Sequence, residues 1–178
     1  MSILHAPVTS ADHIQGELDA PVVLVEYGDY QCPYCGDAFP IVKALQRRFG
    51  EQLCLVFRNF PLAQSHPEAE GAAETAEFAG AHARFWAMHD ALYENQTELG
   101  LPLYRELAGA LNLSPNSLVE ALESGKFRSK VRDDFMGGLK SGVNGTPSFF
   151  LNGRRHDGGF GLAELEKAIA AEQAGTQG

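Results

Sequence analysis

Cys32 and Cys35 are separated by Pro33 and Tyr34, a spacing that lets two thiols close a small disulfide or share a metal ion. Their place in the chain separates the two uses. The pair follows the apolar run from Val22 to Val25 and the stretch Tyr27-Gly28-Asp29-Tyr30-Gln31, and it leads into a helical pattern from Ala38 to Phe49. A strand therefore ends in a short turn, and two cysteines open a helix. With Cys32 as N-cap, Pro33 takes the first helical position, where its missing N–H would be unpaired in any case. Unpaired backbone donors and the positive end of the helix dipole then favour a thiolate at Cys32. A thiol so placed can have its pKa lowered from about 8.5 to roughly 3.5–7.5, which makes it a nucleophile at neutral pH. Cys35, one turn in, is expected to sit deeper and act as the resolving thiol. A tetrahedral zinc site usually needs four ligands, and no second closely spaced Cys or Cys/His pair occurs in the sequence.

Several elements must position this pair. Val22-Val23-Leu24-Val25-Glu26-Tyr27 suits a central parallel strand covered on both faces. Glu26 is its exception, because a buried carboxylate must be paired or protonated; the alternative is that it faces solvent at the strand end. After the dithiol, Phe39, Val42, Leu45 and Phe49 mark one helical face, Pro40 predicts a kink and Gly50 an end. Cys54 lies in the apolar run Leu53-Cys54-Leu55-Val56-Phe57, a buried strand in which it reads as a small hydrophobe. Strand, helix and strand then form a right-handed parallel crossover.

From Pro67 to about Gly142 the pattern is helical throughout, with stripes at Ala69, Ala72, Ala73 and Ala76, at Phe85, Met88, Leu92 and Tyr93, and at Leu103, Leu107 and Leu111. Ser114-Pro115 reads as an N-cap followed by proline at the first helical position. The aromatic stripe of Phe85, Trp86 and Tyr93 reads as packing. His82 and His89 stand two turns apart and could share a face. No zinc-protease motif surrounds them or His66, so no metal site is expected. Near the end, Ser148-Phe149-Phe150-Leu151 predicts a strand, Asn152-Gly153 a two-residue hairpin turn, and residues 154–157 the returning strand. A last helix carries Leu162, Leu165, Ala168 and Ile169 on one face, and residues 174–178 read as a frayed tail.

Together, the strand, the Cys-Pro-Tyr-Cys turn and helix, and Gly145-Thr146-Pro147 ahead of an apolar strand resemble the thioredoxin superfamily, and more narrowly its DsbA-like branch, roughly from Gly16 to Ala171. The resemblance implies an α/β thioredoxin fold with an inserted all-helical subdomain. Residues 1–64 and 143–173 would be the two parts of the thioredoxin domain, 65–142 the insertion and 174–178 a flexible tail. It further implies that Pro147 is cis and packs beside the active-site disulfide, and that the Thr146 backbone pairs with an extended substrate segment. Pro33 and Tyr34 would tune the Cys32 thiolate. Glu26, six positions before Cys32, matches a family acid that lies beneath the disulfide and relays a proton to or from Cys35.

The implied activity is thiol–disulfide exchange with protein or peptide substrates, with an unidentified redox-recycling partner and no bound cofactor. Cys-Pro-Tyr-Cys also occurs in glutaredoxin-like proteins, so the preferred direction stays open. So do two alternatives: a glutathione-linked reductase or detoxifying enzyme on the same fold, and a non-catalytic thioredoxin-like module that binds a partner or holds a metal or iron–sulfur cluster between two chains.

The chain has 178 residues, 44% of them hydrophobic and 21% charged, which is ordinary for one globular domain, and its formal net charge of -9 argues against nucleic acid or an anionic membrane surface as partner. Three cysteines do not make an extracellular disulfide framework. The first twenty residues show neither a basic start nor a continuous apolar core, and no later stretch is long enough to span a bilayer. A cytoplasmic address is the direct expectation; a periplasmic or extracellular one is the alternative if a leader is missing from the sequence.

Overall fold

The computed structural model describes residues 2–176. Among them, five strands form one mixed sheet in the order β1-β3-β2-β4-β5. These are β1 (His13–Gln15), β2 (Val22–Gly28), β3 (Leu53–Asn59), β4 (Ser148–Leu151) and β5 (Arg154–Arg155). The two runs without polar alternation, β2 and β3, take the central places and are buried almost throughout, as strands covered on both faces must be. Seven helices complete the described chain: α1 (Pro33–Phe49) between β2 and β3, then α2 (Ala69–Gly80), α3 (Phe85–Glu94), α4 (Leu101–Ala110), α5 (Pro115–Ser124), α6 (Arg128–Lys140) and α7 (Leu162–Thr176).

The chain divides into two compact units. One holds residues 2–28, 37–58 and 136–176, and the other residues 29–36 and 59–135.

The first unit is the sheet with most of α1, the end of α6, and α7. β4 runs antiparallel to β2 with Glu26 opposite Phe149 and Tyr27 opposite Ser148. Leu165 and Ile169 bury the inner face of α7, which packs on β2 and β4. Each such fully buried aliphatic side chain contributes about 1.5–3 kcal/mol. The expected hairpin is present: Asn152 and Gly153 both have positive φ (47° and 81°), which a right-twisted two-residue turn requires. β5 is shorter than the expected 154–157, although His156 N still donates to Phe149 O at 2.8 Å. Arg58 is buried, donating to both carboxylate oxygens of Asp12 (2.8 and 3.0 Å), to Tyr27 Oη (3.1 Å) and to the carbonyls of Ala6 and Pro7. This side chain fastens the residues ahead of β1 to the sheet.

One expectation is corrected at the C-terminus. Residues 174–176 are not a frayed tail but the last turn of α7. Ala168, Ala170, Ala171 and Ala174 are strong helix formers, and Thr176 Oγ1 donates to the carbonyls of Glu172 and Gln173. The remainder of the expected tail, 177–178, lies outside the described residues.

The second unit is helical. α2 buries Ala69, Ala72, Ala73, Ala76 and Ala79 and contacts α3, α4 and α5, the small side chains letting neighbouring helices approach closely. Phe60 stacks on Phe135 at 4.4 Å between ring centroids. Ser114 caps α5 as its sequence predicts, its side chain accepting from Ser117 N at 3.1 Å.

Candidate active site

The dithiol turn begins at Asp29. Its side chain accepts from Gln31 N at 2.8 Å, an Asx turn, and its carbonyl accepts from Cys32 N at 3.1 Å. That tight turn delivers Pro33 as the first residue of α1. Gly36 N donates to Cys32 O at 3.1 Å, the first bond of the helix, so Cys32 stands at the N-cap. Cys32 is 3% exposed and Cys35 0%, whereas Tyr34 between them is 63% exposed and Pro33 is exposed beside it. Cys35 thus sits the deeper of the two, as expected from its place one turn in.

Several side chains of the helical unit hold this turn. The buried Asp29 carboxylate also accepts from Leu62 N at 2.9 Å and from His66 Nδ1 at 2.7 Å. Gln31 Oε1 accepts from Glu68 N at 2.7 Å. The Tyr30 hydroxyl is hydrogen-bonded to His89 Nδ1 at 2.9 Å, and the Tyr30 ring packs against His89 and Tyr93 at 5.4 and 4.9 Å between centroids. Gln96, in the short helical turn after α3, donates through Nε2 to the carbonyls of both Tyr30 and Cys32, each at 2.8 Å.

These contacts give the histidines roles that the sequence reading missed. His66 pairs with Asp29 and His89 with Tyr30. His82 Nδ1 donates to Phe78 O at 2.9 Å and the ring packs on that of Phe78. The idea that His82 and His89 share one helix face is corrected, because no helix holds both: α2 closes at Gly80, His82 lies in the turn after it, where Ala83 takes φ 57°, and His89 lies in α3. The stripe of Phe85, Trp86 and Tyr93 is packing, as expected; Phe85, Trp86 and Tyr93 all surround His89. The only sequence signal for the wider network is Asp29 two residues before Gln31, an Asx-turn pattern; Gln96 carried none.

In the sheet unit, Glu26 is buried in β2 and 3% exposed, which overturns the solvent-facing alternative. Its Oε1 has no hydrogen-bond partner among the described residues. Burial pushes its carboxyl up to about 8, with Lys43 opposing the shift. The Thr146–Pro147 bond is cis, and both residues are half-buried. Pro147 immediately precedes Ser148, whose partner is Tyr27 near the C-terminal end of β2. Cys54 is wholly buried in β3, and burial, with Glu17 adding, pushes its thiol up to about 11, which suits a small core hydrophobe. Among the described residues no group of three or more His, Cys, Asp or Glu side chains could hold a metal ion.

Comparison with known proteins places this geometry. The family described as Thioredoxin matches residues 8–171. The fold superposes on BdbD from Bacillus subtilis with a TM-score of 0.87 and 25% identity, covering 97% of this chain and 98% of that one. It superposes on α-DsbA1 from Wolbachia pipientis with a TM-score of 0.81 and 19% identity, covering 96% and 94%. In sequence, the chain is 42% identical over 166 residues to a protein of Salinispora arenicola named Na(+)/H(+) antiporter NhaA 1, covering 93% of this chain and 25% of that protein. The chain spans about a quarter of the length of the curated relatives it matches. No helix among the described residues is long and apolar enough to cross a membrane.

Proposed function

The chain belongs to the thioredoxin family and has the architecture of its DsbA-like oxidoreductases, and on that footing we propose that it exchanges disulfides with protein or peptide substrates through Cys32 and Cys35. One observation carries the reading: the two cysteines open α1 directly after a central strand, with Cys32 at the N-cap. There the helix dipole and the backbone donors of the first turn favour the Cys32 thiolate over the thiol.

In the oxidising direction, a substrate thiolate attacks Cys32 of the Cys32–Cys35 disulfide, and Cys35 leaves as the thiolate. A second substrate thiolate then attacks the mixed disulfide and displaces Cys32, so the substrate is oxidised by two electrons and the dithiol is left reduced. In the reducing direction, the Cys32 thiolate attacks a substrate disulfide and Cys35 displaces the product. The resemblance gives Glu26 the part of the acid that relays a proton to or from Cys35, and its carboxyl, held up to about 8 by burial, keeps a proton to give near neutral pH. Thr146 offers its backbone to an extended substrate, Pro147 shapes that end of the strand, and Pro33 and the exposed Tyr34 tune Cys32 and meet the substrate. A separate redox partner recycles the dithiol.

The test is the Cys32–Cys35 reduction potential, measured by equilibrating the protein in graded glutathione buffers and trapping thiols. A value towards about -120 mV marks a disulfide donor and one towards about -270 mV a reductase. No disulfide at any poise refutes the reading.

A second reading concerns context. The curated relatives named as antiporters carry the matched segment within a protein about four times as long, and we infer that an ion-transporting membrane protein is among the substrates of this redox unit. Mixing the reduced or oxidised chain with antiporter vesicles and following the pH gradient tests it; equal antiport rates in both states discard the reading.

A further inference from the structure

Gln96 touches the dithiol turn at an uncommon place. Its carboxamide Nε2 donates to two main-chain carbonyls at once, Tyr30 O and Cys32 O, both at 2.8 Å. Cys32 O is the carbonyl of the N-cap itself and already accepts from Gly36 N. Gly36 completes the arrangement: a Cβ built there would overlap the Gln96 carboxamide. A side chain at position 36 would therefore displace the Gln96 carboxamide from the first turn of α1.

We propose that Gln96 is a positioning residue for the Cys32 thiol, pinning the dithiol turn and engaging the two carbonyl dipoles that flank the thiol along the chain. The proposal rests on the exchange function proposed above. Carbonyl oxygens carry partial negative charge, and each N–H donor that a carbonyl near a thiolate accepts from lessens the penalty, Gln96 adding the second on Cys32 O beside that of Gly36. An N–H on each carbonyl offsets that charge when Cys32 is a thiolate and matters little when its sulfur is neutral in a disulfide. Gln96 thus favours the reduced, ionised state, and it makes the pair more oxidising. Asp29 and Tyr30 are held by their own partners, His66 and His89, so the loss of Gln96 removes the donors to Tyr30 O and Cys32 O without removing the rest of the turn.

The experiment compares the wild type with Gln96→Met, which preserves length and removes the donors, and with Gly36→Ala, which displaces the carboxamide. The expected result is a fall of about threefold to tenfold in the equilibrium constant for oxidation of glutathione by the disulfide, the scale of one net hydrogen bond. The Cys32 thiolate absorbance near 240 nm should titrate at higher pH in the same variants. Gly36→Ala should shift both readouts in the wild-type background and neither in a Gln96→Ala background. Wild-type values in Gln96→Met, whatever its melting temperature, overturn the proposal. If Gln96→Met does not fold, an unshifted Gly36→Ala, or additive effects in the double variant, overturn it instead. A wild type that forms no Cys32–Cys35 disulfide refutes the exchange function and leaves the thiolate titration to judge Gln96 on its own.

Discussion

His66 Nδ1 donates to Asp29 Oδ2 at 2.7 Å, and the same buried carboxylate takes the backbone N–H groups of Leu62 and Gln31 at 2.9 and 2.8 Å. One side chain thus ties the turn that precedes Cys32 to the segment that follows β3. Its truncation leaves two backbone donors and a histidine without their acceptor, and each buried donor so stranded costs about 1–3 kcal/mol. Asp29→Ala should therefore destabilise the protein by about 3 kcal/mol in urea unfolding, and His66→Ala by about 1 kcal/mol. A loss at Asp29→Ala no larger than at His66→Ala would show that the backbone bonds do not depend on the carboxylate.

How far the site could be read from sequence follows from the range of the interactions. Cys32, Pro33 and Cys35 announce themselves because capping and helix entry are local, decided within one turn. The hairpin at Asn152-Gly153 is legible for the same reason. Gln96 reaches Cys32 across 64 positions and His66 reaches Asp29 across 37, and no periodicity encodes such pairs. Glu26 lay between: its run of apolar neighbours showed that it had to be buried or at an end, and the pairing of β2 with β4 decided for burial opposite Phe149. Residues 174–178 read as a frayed tail because chain ends ordinarily fray, while alanines and the Thr176 hydroxyl hold 174–176 in the last turn of α7.

Local capping also makes a quantitative prediction in the helical unit. Ser114 accepts from Ser117 N at 3.1 Å at the start of α5, whose Leu118 and Ala121 are buried. Ser114→Ala should cost about 1 kcal/mol. For a chain of this size that is a fall of roughly 2–4 °C in melting temperature, read by calorimetry. Ser114→Gly should lose far less; equal losses would mean that the hydroxyl is not the cap.

The two cysteines of the turn should fail in different ways under the proposed exchange mechanism. Cys32→Ser removes the attacking sulfur, so insulin reduction and peptide oxidation should both fall to background. Cys35→Ser leaves the attack intact and removes the group that resolves it, so mixed disulfides with substrate should accumulate and be visible by mass. Cys54→Ala should leave both assays unchanged, because its thiol is buried in β3 and held up to about 11. Turnover by Cys32→Ser at the wild-type rate would end the proposed mechanism.

Glu26 sets the pH response. Burial holds its carboxyl up to about 8 against an ordinary 4.5, so between those values the folded protein keeps a proton that the unfolded chain gives up. The folded state then binds more protons than the unfolded one, and stability must fall as pH rises. The contribution is fully present below 4.5 and is lost as pH climbs through about 8. The slope from this one group is at most about 1.4 kcal/mol per pH unit. Glu26→Gln, uncharged and of the same shape, has no such proton to lose. The difference in unfolding free energy between Glu26→Gln and wild type should therefore grow in favour of the variant from pH 5 to pH 8, in denaturant titrations at each pH. Parallel curves would place the ionised carboxylate in the folded protein and remove Glu26 as a proton carrier for Cys35.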